Sequence, residues 1–186
     1  MTYFYTARAK FDKENGGDVL AWVNYIEWSK LTQLTELVST DTSLNGVVVE
    51  IDQPSEEDWK EIVIDNYHET GFFRSLDYVL QKTKDILRFN LLTVVIEPEI
   101  DCSIIQIDDF DFLGYDLLDQ YYDTSALSNC SGFDETFLPS DLNRFGLIDT
   151  YEKAYSIKKE LRENNPQEEH ADTNIIAIWR HRSIGW

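Results

Sequence analysis

Three residues of this chain have the types that nucleophilic catalysis needs. Cys130 lies in Ser128-Asn129-Cys130-Ser131-Gly132, and His170 and Asp172 lie in His170-Ala171-Asp172. A thiol becomes a nucleophile when an imidazole takes its proton and a carboxylate orients that imidazole. A neighbouring glycine, here Gly132, lets a backbone amide approach the oxyanion that forms. The order Cys, His, Asp therefore describes one reading of the chain, a cysteine-dependent hydrolase or transferase. No family signature surrounds the three residues, and a buried structural thiol beside a surface histidine accounts for them as well.

The densest run of oxygen donors is Asp108, Asp109, Asp111, Asp116, Asp119 and Asp123. Clustered carboxylates can hold a hard cation, but these lack the spacing of a calcium loop, and strand alternation sends neighbours to opposite faces. No metal site is expected from them. Carboxylates gathered on one face instead suit pairing with Arg and Lys of another macromolecule. His68 and His181 stand apart from Cys102 and Cys130, without the close pairs that zinc requires. Gly16-Gly17 lacks the strand-to-helix setting of a phosphate loop, so no nucleotide or other cofactor is expected.

The elements that would position these residues follow from periodicity and punctuation. Thr2–Ala9 reads as a strand entering a polar turn, and Asp18 as the cap of a helix carrying Val19, Trp22, Val23 and Ile26, with the stripe resumed at Leu31, Leu34, Leu37 and Val38. Val47–Ile51 reads as a short strand. Ser55 and Asp58 form a capping box for a helix with Trp59, Ile62 and Val63 on its apolar face. Phe72, Phe73, Leu76, Val79 and Leu80 suggest the next helix. The branched run Ile86–Ile96 has the pattern of a central strand buried on both faces. Cys102–Ile107 and Phe110–Leu118 would complete an antiparallel meander. A long irregular segment spans Tyr121–Leu138, Pro139–Leu142 is expected to begin a short helical turn, Asp149 and Glu152 cap a last helix, and Ile175–Trp179 forms the closing strand. Trp186 is expected to dock against the body of the protein.

Composition sets the outer limits. The 186 residues are 42% hydrophobic and 13% aromatic, enough for one core without staples. Sixteen basic against thirty-five acidic residues give a net charge of −19. A field of that sign disfavours nucleic acid and anionic membranes and favours basic partners. Two cysteines make no disulfide framework, and no apolar run reaches membrane-spanning length, so a cytoplasmic protein is expected.

The stretch Phe112-Leu113-Gly114-Tyr115-Asp116-Leu117 through Ser125-Ala126-Leu127-Ser128-Asn129-Cys130 and on to Trp179-Arg180 resembles a set of uncharacterised bacterial proteins. The resemblance implies a bacterial, cytoplasmic protein and carries over no functional residue. The expectation is thus a single α+β domain over residues 1–186, with N-terminal helices packed on a mainly antiparallel sheet. Its expected role is an acidic binding or inhibitory protein, of the antitoxin or immunity kind, meeting a basic macromolecule through the six aspartates.

Overall fold

The computed structural model describes residues 1–14, 19–65, 68–128, 139–164, 166–167 and 169–184. Its elements are β1 (Phe4–Ala9), β2 (Phe11–Asp12), α1 (Val19–Ser29), β3 (Glu36–Leu37), α2 (Glu56–Glu61), β4 (Ile62–Asp65), β5 (His68–Phe73), α3 (Leu76–Thr83), β6 (Phe89–Ile96), β7 (Phe110–Leu118), α4 (Tyr151–Asn164) and β8 (Asn174–His181). Short 3-10 turns fall at Pro139–Asp141 and Glu169–Ala171. Six strands form one sheet in the order β4-β5-β1-β6-β8-β7, and β2 pairs with β3 in a separate ribbon. Every pairing is antiparallel. The fold is α+β.

Side-chain alternation gives the sheet two unlike faces. On one face Ala7, Leu91, Val95, Ala177 and Trp179 join a core completed by Val79 of α3 and by Ala154, Ile157 and Leu161 of α4. On the other, Leu92, Val94, Ile176 and Ile178 are covered by irregular chain carrying Val38, Phe145 and Leu147. This second face also holds several buried polar positions. The register places Arg8 opposite Asn90 and Leu92 opposite Arg180, so Thr6, Arg8, Asn90 and Arg180 share it with those aliphatics. Loops can cover polar groups that a helix would leave without partners, because loop amides and carbonyls point in many directions.

β6 is central and buried almost throughout, as its nearly continuous branched run predicts, but it begins at Phe89, and Ile86–Arg88 precede the strand with Leu87 exposed. The meander is not what forms. β8, last in the chain, inserts between β6 and β7, so those two strands do not pair. Cys102–Ile107 is a series of turns, and of Val47–Ile51 only Val47 makes a bridge, to Arg8. Leu31, Leu34, Leu37 and Val38 are buried without being helical. α1 stops because Lys30 adopts φ +63° while its amide still donates to the Ile26 carbonyl at 3.0 Å, turning the chain away. Ile62 and Val63 belong to β4, and Phe72 and Phe73 to β5, so α2 and α3 are shorter than their apolar spacing suggests. In α1 Trp22 is buried, yet Val23 is exposed. The helical cover is not confined to the N-terminal half, since α4 packs on β7 and β8. Asp18 and Trp186 lie outside the described residues.

Helix ends obey local chemistry closely. Ser55 caps α2: its hydroxyl accepts from the Asp58 amide at 3.1 Å, and Asp58 Oδ2 accepts from the Ser55 amide at 2.8 Å. At α4 the cap is Thr150 rather than Asp149. The Lys153 amide donates to Thr150 Oγ1 at 3.3 Å, while Asp149 accepts from Asn143 Nδ2 at 2.8 Å. Asp58 also accepts from the Tyr78 hydroxyl at 2.7 Å and pairs with Lys82 at 3.0 Å. The Tyr78 hydroxyl, the Ser55 donors and Lys82 hold its carboxyl well below the usual carboxylate range. A carboxyl whose folded pKa is depressed stabilises the fold above its unfolded pKa, near 3.9 for Asp, and loses that contribution as pH falls further. The stability gap between wild type and Asp58→Asn should therefore be full at pH 6 and shrink steadily below about pH 4. Urea titrations across that range check it, and a gap independent of pH would dissociate the carboxylate from the effect.

Candidate functional site

The six aspartates divide between the two ends of β7. Asp108, Asp109 and Asp111 are exposed at its start. There Asp111 Oδ1 accepts from Arg182 Nε at 2.8 Å, and the Asp109 carbonyl accepts from the Arg182 amide at 2.9 Å. Asp116 and Asp119 are buried and Asp123 is half-buried. Five residues of strand, roughly 17 Å at the ordinary rise, separate Asp111 from Asp116. The six do not make one anionic face. Other exposed carboxylates, such as Glu56, Asp77 and Glu160, sit on α2, α3 and α4.

Asp116 and Asp41 instead build an interior network beneath the loop-covered face. Asp116 accepts from Ser39 Oγ at 2.6 Å, from the Thr40 amide at 3.2 Å, from the Leu117 amide at 2.8 Å and from the Ser125 hydroxyl. Asp41 accepts from the Ser125 amide at 2.9 Å and from Ser128 Oγ at 3.1 Å, and its other oxygen takes the Ser43 amide at 2.8 Å. Arg8 is fully buried nearby. Its Nε donates to Thr6 Oγ1 at 3.0 Å, its Nη2 to the Thr70 carbonyl at 3.3 Å, and its guanidinium lies 5.6 Å from the Phe72 ring centre. Burial lowers its pKa to about 10, while Asp41, Asp116 and Asp123 oppose that fall, so it remains charged at neutral pH. Gly71 makes room for it: a Cβ there would stand 2.5 Å from Val47 and 3.1 Å from Arg8 Nη2, on a backbone at φ +68°. The network fastens residues 39–45 and 123–128 to the sheet.

The candidate catalytic residues are placed as follows. Cys130 lies outside the described residues. His170 is buried in the 3-10 turn Glu169–Ala171. Asp172 is exposed and pairs with Arg162 at 3.5 Å. Cys102 is a buried free thiol, pushed up to about 11 by burial and the adjacent Asp101, so it carries no thiolate at neutral pH. Among the described residues no group of three or more His, Cys, Asp or Glu side chains is placed to hold a metal ion, and no helix is long and apolar enough to cross a membrane.

The feature that sequence reasoning missed is a basic cleft. β1 leaves the sheet at the same end where β6 enters and β8 leaves, because both pairings are antiparallel. Lys10, Arg88 and Arg180 are thereby drawn together, and Lys13 and Arg144 join them around a cavity of about 590 Å³. Asp12, Glu14 and Glu36 complete its charged lining. Arg180 Nη1 donates to Glu36 Oε2 at 2.7 Å, and Asn90 Nδ2 holds the other Glu36 oxygen at 2.6 Å. Phe145 lies under two cations, with the Arg144 and Arg180 guanidinium centres 4.6 and 4.9 Å from its ring centre. Arg88 donates to the Glu14 carbonyl at 2.7 Å and stands 3.8 Å from Asp12. Arg144 pairs with no carboxylate among the described residues. Basic residues flanking three strand ends were the available signal, and only the register shows that those ends coincide.

No family model, curated protein or solved structure matches this chain. The molecule stands as an α+β protein with a strongly acidic composition and, among its described residues, a cation-lined cleft.

Proposed function

We propose that this protein binds a small anionic ligand in the basic cleft. One observation carries the reading: five of the sixteen basic residues surround a single cavity in a chain of net charge −19. Electrostatic forces in physiological salt fade over about 8 Å, so the distant carboxylates count for little inside the cleft, where five cations face three carboxylates among the described residues. A long polyanion would overlap the acidic surroundings and be repelled, which favours a compact ligand over nucleic acid. The volume falls within the range of about 300–1,000 Å³ usual for small-molecule sites. A free thiol at Cys102 suits a reducing, cytoplasmic setting.

The exposed Asp108 and Asp109 support a second reading, docking of a basic macromolecule as an antitoxin or immunity protein docks. The two are separable. Inorganic phosphate, sulfate and citrate should each raise the melting temperature in a saturable way over sodium chloride of equal ionic strength, and Arg144→Ala should weaken the rise. Lysine substitutions at Asp108 and Asp109 should leave that rise intact while abolishing capture of a basic partner. Identical melting temperatures in all salts at matched ionic strength would remove the cleft from consideration.

A further inference from the structure

Resting on the small-anion reading, we infer that the cleft recognises a phosphate monoester bearing hydroxyl or amino groups. Among the described residues of the lining, five cations against three carboxylates leave a surplus of two positive charges. A single carboxylate neutralises only one of them, whereas a phosphate monoester carries about −1.5 to −2 at neutral pH and presents three acceptor oxygens. The cations are suited to such a group. Arg180 is fixed by Glu36, which Asn90 holds in turn, and Arg180 and Arg144 rest against the same Phe145 ring. Guanidinium groups held in place lose little freedom on binding, and their forked donors match phosphate oxygens.

The cavity is also too large for the phosphate alone. Beside the cations it offers the exposed Glu14 carboxylate and the Thr35 hydroxyl. Thr35 donates to the Arg144 carbonyl at 3.3 Å, which leaves its oxygen free to accept. Both groups take hydrogen bonds from hydroxyl or ammonium donors. The lining thus fits a small, polar body joined to the phosphate better than an apolar one.

Isothermal titration with glycerol 3-phosphate, glycerate and inorganic phosphate, at equal ionic strength, tests the inference. Glycerol 3-phosphate should bind at least tenfold more tightly than glycerate, and more tightly than inorganic phosphate. Its affinity should fall severalfold between pH 7.5 and pH 5, because the second phosphate pKa lies near about 6, while glycerate binding should stay flat. Arg144→Ala and Lys13→Ala, both at exposed positions, should each weaken glycerol 3-phosphate by roughly tenfold with the fold intact. Equal binding of glycerate and glycerol 3-phosphate would overturn the phosphate assignment and leave the cleft reading standing. Equal binding of inorganic phosphate and glycerol 3-phosphate would overturn the organic body. Failure of all three probes would sink both.

Discussion

Asp116→Ala should lower the unfolding free energy by about 4 kcal/mol, a drop of roughly 10 °C in melting temperature for a chain of this size. Four donors converge on this carboxylate, two of them hydroxyls and two backbone amides. Alanine leaves all four buried without an acceptor, each at a cost of about 1–3 kcal/mol when water cannot replace it. Burial raises the pKa of Asp116 while these four hydrogen bonds oppose the rise. Its loss also removes one of the groups that favour the charge on Arg8, whose own hydrogen bonds reach Thr6 and the Thr70 carbonyl. Partial collapse and entering water keep the total below the simple sum. Asp116→Asn retains one acceptor oxygen, and the Ser39 and Ser125 hydroxyls can rotate to accept from the new amide, so a loss of about 2 kcal/mol is expected. Chemical denaturation of the three proteins measures the series. A loss under 1 kcal/mol for the alanine variant would show that the interior network contributes little.

Trp179→Ala should cost a similar amount, about 3–5 kcal/mol, for a different reason. Trp179 is 0% exposed and sits on the strand that divides β6 from β7. Its ring packs edge-on to Phe112 at 5.2 Å and to Tyr3 at 6.3 Å, and its Nε1 donates to the Ile105 carbonyl at 3.3 Å. Removing it opens a cavity walled by strands that cannot close up without breaking ladder bonds. Trp179→Phe should recover more than half of the loss. Alternation places Trp179 on the helix-covered face and Arg180 on the other, so the alanine variant, while still folded, should keep its affinity for anions in the cleft. Loss of both together would mean that the two faces are mechanically coupled.

These two positions and the cleft share one origin in the sheet. The register that buries Trp179 among aliphatics delivers Arg180, Lys10 and Arg88 to a single sheet end. A ligand held there would meet Lys10, Arg88 and Arg180 at strand ends, whose positions the core fixes, together with Lys13 and Arg144 from the adjoining turns. That is the arrangement expected of a site that must keep cations close to one another without a ligand present.

Short-range physics made much of the molecule readable in advance. The Ser55–Asp58 box, the branched run of β6, the turn at Pro139–Asp141 and the inward Ala154, Ile157 and Leu161 of α4 depend on neighbours within a few residues, and the chain alone determined them. The brief apolar run at Phe72 and Phe73 fits a helical period as well as a strand, and pairing with β1 and β4 decides for strand. Strand order, the burial of Asp116 and the meeting of Lys10, Lys13, Arg88, Arg144 and Arg180 were settled only in three dimensions. Each depends on which distant segments pair: Arg8 and Asp116 could be told from surface charges only once chain far away in sequence supplied their partners and their cover.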